Sequence, residues 1–156
     1  VYAVANLVAA LGSVVRVSGF AATLSKPTDL EDAATLLLQM ESGALATAET
    51  SWCDPARTWE ISVHGTVGKF VCGKDGVLTK WTPTSYTRED SPPRSDVVET
   101  GPGAGHLHEH FLDCVRKGIQ PPLSNARAAR HVTEILLAGL ESSRTGQAIE
   151  IKSRAE

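Results

Sequence analysis

The chain has 156 residues, of which 42% are hydrophobic and 21% are charged, and its formal net charge is −3. This length suits a single domain with one hydrophobic core. The 15 basic and 18 acidic residues form no long run of one sign, so no electrostatic surface for nucleic acid or an anionic membrane is expected. A small molecule or another protein is therefore the expected partner.

The first predicted element is a helix. Residues 1–12 read VYAVANLVAALG and carry no charge. They are too few to cross a bilayer, which takes about 20 apolar residues, and they lack the basic start of a signal peptide. Because no initiator methionine precedes them and Met40 is the only methionine, we expect a piece of a longer protein whose preceding part is missing.

The middle of the chain predicts an antiparallel meander of about six strands. A strand is expected over residues 14–23 and a long hairpin over residues 33–52. Residues 59–64 then alternate between apolar and polar side chains, the period of a strand. Glycine-containing turns separate the strands that follow, up to Trp81.

The last third of the chain predicts a loop, two helices and a short strand. Residues 83–105 are rich in Pro, Ser, Thr, Asp and Gly and predict a structureless loop of about 20 residues. The first helix ends at Gly118, the second begins near residues 124–125, and the last strand covers residues 148–151. Strands grouped first and helices grouped last predict an α+β fold, with an open, mainly antiparallel sheet covered by helices on one face.

Some predicted strands are apolar on both faces. The side chain of Leu37, for example, is on the opposite face of the strand from those of Leu36 and Leu38. Such strands are typical of sheets with both faces covered. Since two or three helices cannot cover both faces, we expect the other face to contact another subunit or domain. A homo-oligomer formed through this face is the arrangement that we predict.

Three histidines, His106, His108 and His110, fall within five residues near the start of the first C-terminal helix. In a helix, His106, His110 and Cys114 lie along one edge, but a zinc site needs three or four ligands and the HExxH arrangement is absent. We therefore expect no metal and interpret the cluster as a solvated first turn. His106 follows the long loop and is a candidate substrate-binding residue.

Three tryptophans, Trp52, Trp59 and Trp81, lie in or beside predicted strands. No basic residues interleave with them as a nucleic-acid-binding surface requires, so packing on the sheet is their expected role. Trp52 is the exception, because it ends a strand where a cleft could open, and it is a second candidate substrate-binding residue.

The three cysteines, Cys53, Cys72 and Cys114, share no CxxC spacing and lie in apolar segments. Reduced thiols of a cytoplasmic protein explain such a set. The residues taken singly specify a fold class more than a reaction.

Three segments carry a resemblance to a known family. They are an acidic-then-apolar hairpin with a Ser-Gly turn (residues 31–52), a second hairpin with the turn Gly65-Thr66-Val67-Gly68 (residues 60–72), and a helix-Pro-helix unit ending in SSRTG before the last strand (residues 110–151). In this order they resemble the C-terminal domain of the Gfo/Idh/MocA oxidoreductases, the glucose-fructose oxidoreductase and inositol dehydrogenase family.

This resemblance implies a function for a longer protein. Such proteins have an N-terminal Rossmann domain, absent from this chain, that binds NAD or NADP, and they transfer a hydride between the nicotinamide and a sugar, a polyol or a related alcohol. Residues 1–156 would form the single C-terminal domain that shapes the substrate pocket and mediates oligomers. By itself this domain is expected to hold no cofactor and to have no dehydrogenase activity.

The resemblance also points to Tyr2. Many members carry a GxHxxD motif at the first helix of this domain, whose His acts in proton transfer. Counting back from Leu11-Gly12, that His falls at Tyr2 and the Asp at Ala5, with Asn6 beside it. A phenol can bind a substrate hydroxyl or relay a proton, so Tyr2 is the catalytic candidate and Asn6 a substrate-binding candidate.

Two alternatives stay open at this point. Tyr2 is equally compatible with a helix residue that packs on the missing domain. The missing His also suits a different function, that of a non-catalytic binding or dimerisation module derived from such an enzyme.

Overall fold

The computed structural model describes residues 1–56, 58–83, 93–101, 107–121 and 124–155. Within these residues it has three helices and eight strands, which confirms the predicted α+β class. In chain order they are α1 (Tyr2–Leu11), β1 (Val14–Ala22), β2 (Ala33–Met40), β3 (Leu45–Ser51), β4 (Glu60–Gly65), β5 (Gly68–Gly73), β6 (Leu78–Thr82), β7 (Arg94–Val98), α2 (Leu107–Lys117), α3 (Ala126–Thr145) and β8 (Ile149–Glu150).

The described strands form two antiparallel sheets of four, ordered β3-β2-β1-β8 and β4-β5-β6-β7. The sequence predicted one sheet of about six strands. Alternation of apolar and polar residues identifies a strand but not its hydrogen-bonding partner, so the division into two sheets is not visible in the pattern.

The chain divides into two compact units, which we call unit 1 (Val1–Cys53 and Asp113–Glu156) and unit 2 (Asp54–Leu112). In unit 1, α1 and α3 pack on the sheet β3-β2-β1-β8. Along β2, every second residue from Leu36 to Met40 is buried. The apolar core comprises Val4, Val8, Val14, Val17, Leu36, Leu38, Met40, Ala48, Val132, Ile135, Ala138 and Ile151.

Helix α3 owes its limits to its two caps. The Asn125 side chain accepts hydrogen bonds from the backbone N–H groups of Arg127 and Ala128, at 2.9 and 3.0 Å. Gly146 ends the helix in the left-handed conformation at φ 70°, and its N–H donates to the Ser142 carbonyl. The start predicted near residues 124–125 is confirmed.

Two serines of α3 complete the edge of β1. Strand β8 pairs with β1 over two residues, and no other described strand pairs with the second half of that edge. The Ser142 hydroxyl accepts from the Gly19 N–H at 3.1 Å, and the Ser143 hydroxyl accepts from the Ala21 N–H at 2.9 Å. Helix side chains thus satisfy donors that a neighbouring strand would otherwise take.

The sheet of unit 2 is a simple meander held by rows of cross-strand neighbours. One row is apolar and crosses all four strands, since Ile61 faces Cys72, Cys72 faces Leu78 and Leu78 faces Val98. The described strand residues of this sheet are half-buried or exposed, and none is fully buried.

The loop predicted for residues 83–105 is wrong in part, because β7 (Arg94–Val98) lies inside it. This strand pairs with β6 from Leu78↔Val98 to Thr82↔Arg94. Its exposed polar residues, among them Arg94 and Asp96 with ion-pair atoms at 3.0 Å, resemble a loop in composition. Pairing with a neighbour, rather than composition, makes the segment a strand. Residues 84–92 and 102–106 lie outside the described residues.

Helix α2 has an apolar stripe that includes Phe111, Cys114 and Val115, and the stripe is not buried as a whole. Cys114 is buried, whereas Phe111 and Val115 are 66% and 63% exposed. The spacing of apolar residues fixes one face of the helix but does not show what covers that face.

Candidate substrate-binding site

Helix α1 presents both of its candidate residues on one exposed face. Val4 and Val8 point into the core, while Tyr2 and Asn6 are exposed and lie one turn apart. Residues four apart on a helix have Cβ atoms about 5–6 Å from each other. The Tyr2 phenol, which is 85% exposed, and the Asn6 amide therefore offer neighbouring hydrogen-bonding groups to one ligand.

The junction after α1 holds this helix in place. Gly12 ends the helix at φ 87°, and its N–H donates to the Val8 carbonyl at 2.9 Å. The backbone carbonyl of Ser13, the residue after Gly12, accepts a hydrogen bond from the Glu41 N–H at 2.8 Å. The C-terminal end of α1 is thereby tied to the β2–β3 turn, and the candidate residues lie towards its other end.

Trp52 lies in the turn that follows β3, with its side chain 73% exposed. Its backbone N–H donates to the Asp32 carbonyl at 2.8 Å. In the part of the chain that the structure describes, no side-chain hydrogen bond joins Trp52 to Tyr2 or Asn6. Helix α1 places Tyr2 and Asn6 side by side, and Trp52 is an exposed aromatic group of the same unit.

The fourth candidate, His106, lies outside the described residues. Its neighbours His108 and His110 are exposed on the first turns of α2. Among the described residues, no group of three or more His, Cys, Asp or Glu side chains is arranged to hold a metal ion.

Asp32 is a residue that the sequence did not single out. It is 3% exposed, and its carboxylate accepts backbone N–H groups from Leu24, Ser25 and Lys26 at 2.8, 2.9 and 2.8 Å. The hydrogen bonds from Lys26, Leu24 and Ser25 hold the pKa of Asp32 well below its usual range, because they stabilise the charged form.

Asp32 also places the Trp52 turn. Its carbonyl accepts the Trp52 N–H, and its carboxylate accepts the Cys53 thiol at 3.4 Å. The partners of the Asp32 side chain and backbone lie six to eight residues before it and about twenty residues after it. No local sequence motif therefore indicates them. The Glu31-Asp32 pair before a strand reads as an ordinary strand start.

Unit 1 also has a surface groove that the sequence did not predict. The apolar side chains of Leu137 and Leu140 and the charged side chains of Glu141 and Arg144 line it, together with Glu31, Ala21 and Ser143. Of the predicted site residues that the structure describes, Tyr2, Asn6 and Trp52, none lines this groove.

The comparison with protein families matches the part of the chain that carries three of the four candidates. The model of the GFO/IDH/MocA C-terminal domain matches residues 1–71, from α1 into β5. The predicted resemblance is confirmed. Tyr2, Asn6 and Trp52 lie inside the matched segment, and no curated protein matches the chain.

Solved structures of oxidoreductases have the same fold. An oxidoreductase from Agrobacterium radiobacter in complex with NAD+, L-tartaric acid and magnesium is 20% identical, with a TM-score of 0.71 over 94% of this chain and 46% of that chain. Levoglucosan dehydrogenase in complex with NADH is 18% identical, with a TM-score of 0.76 over 96% and 48%. The WlbA dehydrogenase from Bordetella pertussis, with NADH and UDP-GlcNAcA, is 20% identical, with a TM-score of 0.67 over 96% and 44%.

At these identities the likeness establishes the fold. The chain spans less than half the length of each of these proteins.

Proposed function

We propose that the chain is the substrate-binding and oligomerisation domain of an NAD(P)-dependent oxidoreductase that acts on a sugar, a polyol or a related alcohol. The observation that carries this proposal is the exposed face of α1, where Tyr2 and Asn6 lie one turn apart within the segment that matches the GFO/IDH/MocA C-terminal domain. The phenol and the amide each donate and accept hydrogen bonds, as recognition of a vicinal diol requires. Levoglucosan dehydrogenase, solved with NADH and levoglucosan, supports a hydroxylated substrate.

The roles of the two residues differ in this proposal. Tyr2, at the position of the family His, binds the reacting hydroxyl and relays its proton. Asn6 orients the neighbouring hydroxyl. Trp52 and His106 remain candidates for substrate contact, with Trp52 offering an exposed aromatic face on which the apolar side of a sugar ring can stack.

The cofactor is assigned mainly to a part of the parent protein outside this chain. A dinucleotide-binding fold uses a parallel sheet with a glycine-rich turn at the start of a helix. Both described sheets are antiparallel, so these residues do not fit a dinucleotide site. NAD or NADP is therefore expected on the parent protein and not on this chain alone.

The test uses the parent protein, titrated with NAD and NADP and assayed with a panel of sugars and polyols. We expect one nicotinamide to bind and Tyr2→Phe to lower kcat by about 10²-fold or more, since a positioned proton-transfer group contributes about 10²–10⁴-fold. Asn6→Ala should mainly raise KM. Trp59→Phe, which alters another exposed tryptophan, is the control and should change neither.

If neither nicotinamide binds, the oxidoreductase proposal fails. If the cofactor binds and Tyr2→Phe turns over at the wild-type rate, the role of Tyr2 fails while the domain assignment stands.

The alternative is a non-catalytic binding or dimerisation module. The observation that favours it is Tyr2 in place of the proton-transfer His. The sequence of the parent before Val1 separates the two proposals: an intact GxGxxG turn between a strand and a helix supports the enzyme, and a degraded version supports the module.

For the oligomer, we propose that the face of the unit 1 sheet opposite α1 and α3 packs against another copy of the chain. Phe20, Leu37 and Leu45 lie on this face and are 78%, 52% and 72% exposed. A dimer is expected in sedimentation, and Leu37→Asp should dissociate it. Leu137→Asp places the same charge on an exposed leucine of α3 and should leave the dimer intact. A wild-type chain that is strictly monomeric contradicts the proposal.

The expected compartment is the cytoplasm. Among the described residues, no disulfide joins Cys53, Cys72 or Cys114, which suits a reducing environment. None of the described helices is long and apolar enough to cross a membrane.

A further inference from the structure

His131 is a buried titratable side chain that has no role in the proposed function. It lies in α3 and is 0% exposed. Its Nε2 atom is 2.9 Å from the backbone nitrogen of Val14, and its Nδ1 atom is 3.0 Å from the Ser153 hydroxyl.

These contacts determine where the ring proton sits. The Val14 N–H can only donate, so Nε2 must be the unprotonated acceptor. The proton of the neutral ring is then on Nδ1, from which it donates to the Ser153 hydroxyl. The ring accepts from the start of β1 on one side and donates to the C-terminal segment on the other.

The C-terminal segment is held around His131 by polar contacts. The Glu134 carboxylate accepts the N–H groups of Lys152 and Ser153 at 2.8 and 3.0 Å. The Ala155 N–H donates to the Ser13 hydroxyl at 3.0 Å. Together with His131, these groups form what we call the polar clasp, which joins α3, the α1–β1 junction and the chain after β8.

A further contact ties the clasp to the β2–β3 turn. The Arg154 guanidinium donates to the Glu41 carboxylate at 2.9 Å. Just before the clasp, Ile151 is 4% exposed, belongs to the apolar core, and donates its N–H to the Val15 carbonyl. Opening of the clasp is therefore confined to residues 152–155 and to the junction before β1.

We propose that His131 is a pH-sensitive latch, whose neutral ring joins the start of β1 to the segment Lys152–Ala155 and whose protonation releases that joint. A proton on Nε2 turns the acceptor into a donor that faces the Val14 N–H. Two donors cannot share this buried position, so either the ring or the backbone must leave it. Because Val14 lies three residues after the end of α1, release loosens the anchor of the helix that carries Tyr2 and Asn6.

The charged groups around the ring shift the pKa of His131 in both directions. Burial lowers the pKa of His131 most, and the positive charge of Arg154 lowers it further. Glu134 on α3 and Glu41 in the β2–β3 turn oppose this and favour the charged ring. The net result is a pKa below the ordinary value of about 6.5.

The direction of the pH effect follows from linkage. Below about pH 6.5 the imidazole of His131 binds a proton in the unfolded or opened chain but not in the closed latch. The stabilisation of the closed state by His131 is therefore complete above that pH and is lost as the pH falls. The loss is at most about tenfold in the opening equilibrium per pH unit for one proton. Asp32 and Glu134 have lowered pKa values, so their contributions are lost only below the ordinary carboxylate values of about 3.9–4.3. The interval from pH 6.5 to 5 therefore isolates histidine.

The experiment measures hydrogen-exchange protection factors of the Val14 and Ser153 amides in the full chain between pH 7.5 and 5. We expect protection at Val14 to fall by several-fold to about tenfold per pH unit below pH 6.5. His131→Gln should abolish this slope. His108→Gln, which removes an exposed histidine of α2, should retain it. A flat wild-type profile, or a slope that persists in His131→Gln, overturns the proposal.

Nitrogen-15 spectra of the wild-type imidazole keep the proposal testable if His131→Gln does not fold. At pH 7.5 the ring should show a protonated Nδ1 and a bare Nε2. A protonated Nε2 at that pH contradicts the latch.

Discussion

The two sheets are built from strands of similar pattern but reach different degrees of burial. In unit 1, Leu38 and Val14 are 0% exposed because α1 and α3 cover one face of the sheet. In unit 2, the row Ile61, Cys72, Leu78 and Val98 is apolar yet only half-buried. The alternation of apolar and polar residues therefore assigns the two faces of a strand, whereas a helix packed on a face decides whether that face becomes a buried core.

The largest expected effect is on a buried leucine of unit 1. Leu38→Ala should lower the free energy of unfolding by about 2–5 kcal/mol, because it removes buried methyl groups and leaves a cavity. Leu78→Ala, the same change at a half-buried position of the unit 2 row, should cost clearly less. Denaturant unfolding of both variants checks the comparison, and equal losses would contradict it.

Two glycines, Gly19 in unit 1 and Gly101 in unit 2, extend the comparison of the two units. A Cβ atom at Gly19 would lie 2.6 Å from the Thr35 carbonyl oxygen and 2.5 Å from the Leu36 side chain. Gly19→Ala should therefore cost about 1–3 kcal/mol through overpacking. No described atom lies within 4 Å of the corresponding position at Gly101, and Gly101→Ala should be nearly neutral. The midpoints of urea unfolding measure both, and a neutral Gly19→Ala would show that the strands relax.

Asp32 provides a smaller effect with a pH signature. Asp32→Asn removes the charge that accepts three backbone N–H groups, so the variant should be less stable at pH 7. The lowered pKa of Asp32 means that its contribution is present above about pH 3.9 and is lost as the pH falls below that value. The stability curves of wild type and variant should converge in acid, with a change in Trp52 fluorescence at neutral pH. Parallel curves down to pH 2 would contradict the role of the charge.

The smallest effect concerns the edge of β1. Ser142→Ala removes the hydroxyl that accepts the Gly19 N–H, and it should cost about 0.5–1.5 kcal/mol, the net contribution of a typical intramolecular hydrogen bond. Thr133→Ala is the control on the same helix, because the Thr133 hydroxyl is exposed and bonds within the helix. Thermal unfolding should separate the two variants. Identical melting temperatures would mean that the edge of β1 does not depend on α3.

Local signals account for the parts of the fold that the sequence predicts well. The Asn125 cap and Gly146 end set the limits of α3, and the burial of Leu36, Leu38 and Met40 follows the period of two along β2. Each depends on residues close to one another in the chain. β7 was not predicted because its strand character depends on pairing with β6, which composition does not express.

The candidate site shows the same limit. The period of a helix places Tyr2 and Asn6 on one face once α1 is recognised. The partners of Asp32 and His131 could not be predicted. Asp32 gathers backbone groups from a loop, and His131 contacts residues that lie 117 and 22 positions away.

Spacing along the chain dictates which side chains share a face, so the residue pattern predicts the α+β class, the helices, most strands and the shared face of Tyr2 and Asn6 on α1. The division into two sheets, the burial of one sheet face and the polar clasp around His131 follow from the tertiary structure alone. These features depend on hydrogen bonds and packing between distant segments, and residues that meet only after folding leave no pattern in the order of the chain.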